Sequence, residues 1–307
     1  MNNTIDRRHF LRLAGFGVGV VFSSRLMPGA GKAMAAGMDT ISSTNPDDFY
    51  FVQMSDTHWG FKGEAINPDA SGTLQKAVDA VNALEQLPDF IFFTGDLTHT
   101  TDNPNERRRR LGEFKEIVGQ LKVKNVRFTP GEHDAALDNG EAYKEFFGET
   151  HYTFEHKGIQ FIVLDNVSDP TAALGGEQLS WLQSVLNSFS KDQNIVVFTH
   201  RPLFDLYPQW DWATTDGAAA IELLMPYRNV TVFYGHIHQE NFHMTGHIPH
   251  HSAKSLMFPL PAPGSQLKRT PIPWDAETPY KGIGFREVKA GSSSPSFSIN
   301  EYPVIKG

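Results

Sequence analysis

Phe49-Tyr50-Phe51-Val52-Gln53-Met54-Ser55 runs straight into Asp56-Thr57-His58. A short, nearly continuous apolar run reads as a strand buried on both faces, and polar, metal-competent side chains follow where it ends. The same sentence is written four more times along the chain. Phe90 to Thr94 precedes Gly95-Asp96, and Val126 to Thr129 precedes Gly131-Glu132-His133-Asp134. Ile195 to Thr199 precedes His200, and Val230 to Tyr234 precedes Gly235-His236-Ile237-His238. Between these runs, apolar residues recur at helical spacing: Leu74, Ala77, Val78, Val81 and Leu84; Leu111, Phe114, Ile117, Val118 and Leu121; then Gln178 to Phe189 and Ala218 to Met225. Strands alternating with amphipathic helices predict an α/β fold around largely parallel sheet, with antiparallel additions around Tyr152–Asp165 and near the C-terminus.

In open α/β sheets ligands gather outside the carboxyl ends of the strands. Five separate segments therefore deliver carboxylates and imidazoles to one rim. Gly95-Asp96 makes a tight turn exposing a carboxylate able to bridge two cations. Gly131 to Asp134 offers a carboxylate, an imidazole and an acid suited to orient that imidazole. His236 and His238, two residues apart on an extended segment, point the same way. Each block alone is more often a structural turn than a piece of chemistry; five in this order, each after a strand, are not.

Asp-x-His, Gly-Asp, Gly-Glu-His-Asp, a lone His and Gly-His-x-His resemble the signature of the calcineurin-like metallophosphoesterases over nearly the whole chain after its N-terminal segment. Gln178-Leu179 and Trp181-Leu182 are similar to the cyclic-nucleotide (class III) phosphodiesterase branch, with purple acid phosphatases as neighbours. The resemblance implies a four-layer α-β-β-α sandwich. It also implies that Asp56, His58 and His238 bind one metal, that Asp96 bridges, and that Glu132, His200 and His236 bind the second. His133 is then the acid, or the partner of the transition state, beside the scissile bond, with Asp134 behind it. Mixed imidazole and carboxylate donors suit iron, manganese or zinc. A hydroxide bridging the two ions would attack phosphorus in a mono- or diester.

Two positions depart from that pattern. Glu132 stands where the family has Asn. As an ionised ligand it cancels the single positive charge left by two divalent ions, a bridging hydroxide and two carboxylates, which favours an Fe(III)–M(II) pair. The nearer alternative is a Glu132 that is protonated or turned away. His99 stands where the purple acid phosphatases carry a ligating Tyr; it is read as a residue behind the ligands or as a further ligand.

Residues 1–35 read as an export signal: Arg7-Arg8 before Phe10-Leu11, an apolar run from Leu13 to Phe22, and Ala33-Met34-Ala35 as cleavage site. The apolar run is too short for the ~20 residues a bilayer core requires. A twin-arginine-type precursor would meet that export machinery, and the mature protein would work in the periplasm without a membrane anchor. Residues 36–48 are a polar spacer and 49–307 one domain. A formal charge of -8 disfavours a broad nucleic-acid surface, and with no cysteine thiolate chemistry is excluded. The expected partner is a small phosphorylated substrate; a metal-dependent sensing protein on the same fold is the alternative. A protein phosphatase is disfavoured because no matched arginines stand near the motifs. Arg107 to Arg110 read as a solvated helix face and His243 as the outward face of a strand. The proline-rich stretch 259–280 reads as a loop that either walls the cleft or covers a sheet edge.

Overall fold

Alternation along each strand divides its side chains between two cores, and this builds the layers. The structure, a computed structural model, describes residues 48–290 and 297–304, so the signal-peptide reading lies outside the described residues. In β1 (Phe49–Met54), Phe49 and Phe51 face one core while Val52 and Met54 face another. β2 (Phe90–Thr94) repeats the pattern, with Phe90 and Phe92 on one side and Ile91 and Phe93 on the other. With β3 (Val126–Thr129), β10 (Gly284–Ala290) and β11 (Phe297–Pro303), these form a five-stranded sheet ordered β11-β10-β1-β2-β3. β1, β2 and β3 are parallel, whereas β10 and β11 add antiparallel.

The second sheet has six strands in the order β4-β5-β6-β7-β9-β8. They are β4 (Tyr152–His156), β5 (Ile159–Val163), β6 (Asn194–Phe198), β7 (Asn229–Tyr234), β8 (Asn241–Thr245) and β9 (Ile248–Ser252). β5, β6, β7 and β9 run parallel, and the outer strands β4 and β8 run antiparallel to their neighbours. Phe51, Phe90 and Phe92 of the first sheet meet Phe161, Phe198 and Phe233 of the second in a buried aromatic layer. Phe92 and Phe198 stack at 3.7 Å across it. Such pairs add roughly 0.5–1.5 kcal/mol beyond their buried area.

Helices close both outer faces. α1 (Thr73–Asn82) and α2 (Pro104–Val118) pack Leu74, Val78, Val81, Phe114 and Val118 on the first sheet. α5 (Gly175–Asn187) and α6 (Gly217–Leu224) pack Leu182, Leu186, Ile221 and Leu224 on the second. α3 (Glu132–Ala135) and α4 (Glu141–Phe147) lie between the sheets' sequences. The result is the expected four-layer α-β-β-α arrangement. α2 starts before its apolar stripe because Asn103 caps the backbone N–H groups of Asn105 and Glu106 and Pro104 occupies the first turn.

One register differs from expectation. On β8 it is Phe242 and Met244 that are exposed, at 62% and 43%, while His243 stacks inward on Phe204. His243 faces His250 across the ladder, and His250 is fully buried, so that face of the strand belongs to the core.

Candidate metal centre

The loops after β1, β2, β3, β6 and β7 converge, and the backbone adopts unusual angles to achieve it. Asp56, His58, Asp96, His236 and His238 all have positive φ, between 42° and 66°. Aspartate and histidine enter this left-handed region more readily than branched residues, but such non-glycine positions still cost of order 1–3 kcal/mol each. Glycine permits the close approach. A Cβ on Gly131 would lie 2.0 Å from Asp96 Oδ1, and one on Gly95, itself at φ +91°, would lie 2.3 Å from His200 Nδ1.

Two four-donor groups result, each with its ligand atoms within 4.8 Å of one another. Asp56, His58, Asp96 and His238 make one; Asp96, Glu132, His200 and His236 make the other. Asp96 belongs to both. Its Oδ2 lies 3.6 Å from His58 Nε2 and 3.4 Å from His200 Nε2. Glu132 is not turned away: its carboxylate oxygens lie 2.9 Å from His200 Nε2 and 3.1 Å from His236 Nδ1. Each group draws donors from both sheets, because Asp56, His58, Asp96 and Glu132 follow strands of the first and His200, His236 and His238 follow strands of the second.

The outward ring nitrogens fix which nitrogen faces in. His200 Nδ1 donates to the Thr94 carbonyl at 2.6 Å, His236 Nε2 to that of Asp211 at 2.9 Å, and His238 Nδ1 to that of Phe258 at 2.7 Å. Each ring therefore turns a lone pair inward, as metal-binding histidines do. His238 Nε2 faces His58 Nε2 at 3.1 Å. Burial pulls His58 well below its usual imidazole value, against the pull of Asp96. Among the described residues, Glu132 Oε2, His200 Nε2 and His236 Nδ1 are buried without a hydrogen-bond partner. Buried polar atoms rarely go unpaired, and opposed lone pairs repel unless a cation lies between them. Burial pushes the Glu132 carboxyl up, but His236, His200 and Arg201 outweigh it and hold it well below the usual range. Asp96 and Glu132 in turn hold His200 well above its usual value against the effect of burial. A field that draws a proton to this nitrogen draws a cation. The residues present fit metal ions.

His133 sits at the mouth, its side chain 26% exposed. Nδ1 accepts from the Thr100 N–H at 3.0 Å, which places the ring proton on Nε2, and Nε2 lies 3.9 Å from Asp96 Oδ2. Asp134 does not orient this ring. Its carboxylate instead accepts from the N–H groups of Leu97, Thr98 and Gly131 and from the Thr98 hydroxyl. Burial and the charge of Asp96 push the Asp134 carboxyl up to about 7, opposed by those backbone donors. Asp134 thus clamps the Gly-Asp turn to the Gly-Glu-His-Asp turn. His99 lies outside the two four-donor groups but forms a three-histidine group with His58 and His133, its Nδ1 3.4 Å from His58 Nδ1 and its ring stacked at 4.9 Å on His133. Burial, then His133, lower it to about 4, so it is a neutral neighbour able to accept from His58.

Arg107 and Arg110 are not simply solvated. Arg110 donates to the carbonyls of His99 and Thr100, and Arg107 to that of Thr101 while pairing with Asp138. Together they hold the strip that carries the Thr100 N–H. Arg108 and Arg109 pair with Glu145, Glu106 and Glu113 on the exposed side.

The sequence reading missed three residues at the rim. Arg201 follows His200 and is 6% exposed; it binds the Asp211 carboxylate, and its Nε lies 3.8 Å from Glu132 Oε2. Arg269 comes from the proline-rich loop, its Nη2 3.7 Å from Asp211 Oδ2 and its Nη1 3.4 Å from His236 Nε2. Adjacency to His200 was a signal for Arg201; nothing local marked Arg269 or Asp211. The loop and the residue before it wall the site: Phe258 stacks on His58 at 5.3 Å, and Gln239 donates to the Pro261 carbonyl of the loop.

Fold and site together define a layered α/β protein carrying two adjoining donor groups that share one carboxylate. A family model described as calcineurin-like phosphoesterase matches residues 49–240, more than half of the sequence, and the chain belongs to that family. It is 36% identical over 161 residues to a probable glycerophosphodiester phosphodiesterase GpdQ of Arcobacter nitrofigilis, covering 49% of this chain and 56% of that protein. It is 28% identical over 177 residues to the serine/threonine-protein phosphatase CPPED1 of Mus musculus, covering 51% and 57%. The chain thus spans little more than half the length of these curated relatives. A dimetal phosphatase from Danio rerio shares the fold at TM-score 0.57 and 15% identity, over 84% of this chain and 97% of that one.

Proposed function

We propose that the protein is a metal-dependent hydrolase of phosphate mono- or diesters that works in the periplasm. The observation that carries this reading is the pair of donor groups sharing Asp96, with the buried inward nitrogens of His200 and His236 lacking a hydrogen-bond partner among the described residues. Asp56, His58, Asp96 and His238 would hold one ion and Asp96, Glu132, His200 and His236 the other, drawn from iron, manganese and zinc. Bound there, the two ions supply Lewis acidity at the phosphoryl oxygens and at the attacking water.

The protein's own groups do the rest. Backbone carbonyls hold three imidazoles in one tautomer, so little reorganisation is needed as charge develops. Thr100 holds the His133 ring with Nε2–H at the open side of Asp96, where it donates a hydrogen bond to the leaving oxygen. This donor favours turnover over metal-dependent sensing alone. Phe258 and the proline-rich loop limit water on one flank.

The test is to isolate the protein from the periplasmic fraction of cells expressing the full chain, measure its metals, and assay aryl phosphate mono- and diesters before and after chelation. Two metals per chain, loss of hydrolysis on chelation and recovery with manganese, zinc or iron are expected. Full activity in metal-free protein overturns the mechanism, and retention in the cytoplasm overturns the location.

A further inference from the structure

We infer that Arg201 and Arg269 form an anion subsite beside Asp96, Glu132, His200 and His236 that selects dianionic phosphomonoesters over monoanionic diesters. For its substrate class the inference rests on the hydrolase reading above.

Arg201 is buried directly behind Glu132, its Nε 3.8 Å from Oε2 and without a hydrogen-bond partner among the described residues. With Arg269 it outnumbers Asp211 by one positive charge, the charge that Glu132, in place of a neutral amide, removes from the site. No trivalent ion is then required to keep the centre attractive to an anion. Asp211 lies between the two guanidinium groups, paired closely with Arg201 and at 3.7 Å from Arg269. Arg269 is the unsatisfied member. Its other near neighbour, His236 Nε2 at 3.4 Å, already gives its proton to the Asp211 carbonyl and so is no acceptor. A planar cationic fork therefore stands 37% exposed at the edge of the second donor group without a close acceptor among the described residues.

The charges around it are countable. Two divalent ions, the attacking hydroxide and the carboxylates of Asp56, Asp96 and Glu132 sum to zero. Arg201 and Asp211 cancel each other, and Arg269 leaves one positive charge at the rim. That field draws a monoester dianion more strongly than a monoanion, and the dianion offers a free oxygen to the fork, which binds phosphoryl oxygens in pairs. In a diester that oxygen carries carbon instead, so one charge and one acceptor are lost.

The experiment measures binding rather than turnover. Phenylphosphonate and its monomethyl ester, neither of them a phosphate ester, are titrated calorimetrically into the metal-loaded protein and into its Arg269→Gln and Arg269→Lys variants. Wild type should bind the dianion roughly tenfold or more tightly than the monoanion, as expected for a charge-assisted hydrogen bond in a cleft. Arg269→Gln should erase most of that preference at unchanged metal content, and Arg269→Lys should restore part of it. An equal ratio in wild type and Arg269→Gln overturns the subsite. Failure of the hydrolase reading looks different: the preference persists while no ester is turned over.

Discussion

His133 is positioned by a single backbone N–H, that of Thr100, and by stacking on His99. In the proposed reaction it meets the leaving oxygen rather than binding metal, and this separates it from its neighbours. His133→Ala is expected to leave metal content unchanged and to lower kcat on the order of 10²–10³-fold, the usual cost of one aimed donor at developing charge. The loss should be deepest for esters with the poorest leaving groups. A variant that loses metal together with activity, by elemental analysis, contradicts the assignment.

Among the elements, α2 does more than cover a sheet. Arg110 reaches back to the His99 and Thr100 carbonyls, so the helix indirectly aims His133. Arg110→Met should lower kcat roughly fivefold, about the worth of one hydrogen bond, with KM little changed. Arg110→Lys, which still reaches a carbonyl, should recover most of the rate; equal losses in both variants would mean the arginine only stabilises the helix. This connection was illegible in the sequence because the partners of Arg110 on this strip are main-chain oxygens, which carry no residue identity. The strands and donors were legible for the opposite reason. Apolar runs such as Phe90 to Thr94 stop abruptly at Gly95-Asp96, and the side chains themselves carry the chemistry. Asp134 misled because its neighbour in sequence, His133, is not its neighbour in space: the turn directs its carboxylate to the Leu97 and Thr98 amides. His243 misled because alternation gives the two faces of β8 without saying which is covered, and Phe204 decides that from a distant loop.

Across the whole molecule, the ions would act on stability as well as on chemistry. A ligand at 1,000 times its Kd stabilises the folded state by about 4 kcal/mol, which for a domain of this size is roughly 8–16 °C in Tm for each ion. Calorimetry with and without chelator should show a drop of that order; an unmoved Tm would mean the donor groups hold no tightly bound metal. Because each group takes donors from both sheets, neither ion can be held by a chain in which only one sheet has formed. Metal capture then behaves as an AND gate on folding. It reports completion of the sandwich, so a cell that loads the protein before exporting it would be inspecting its workmanship in the same step.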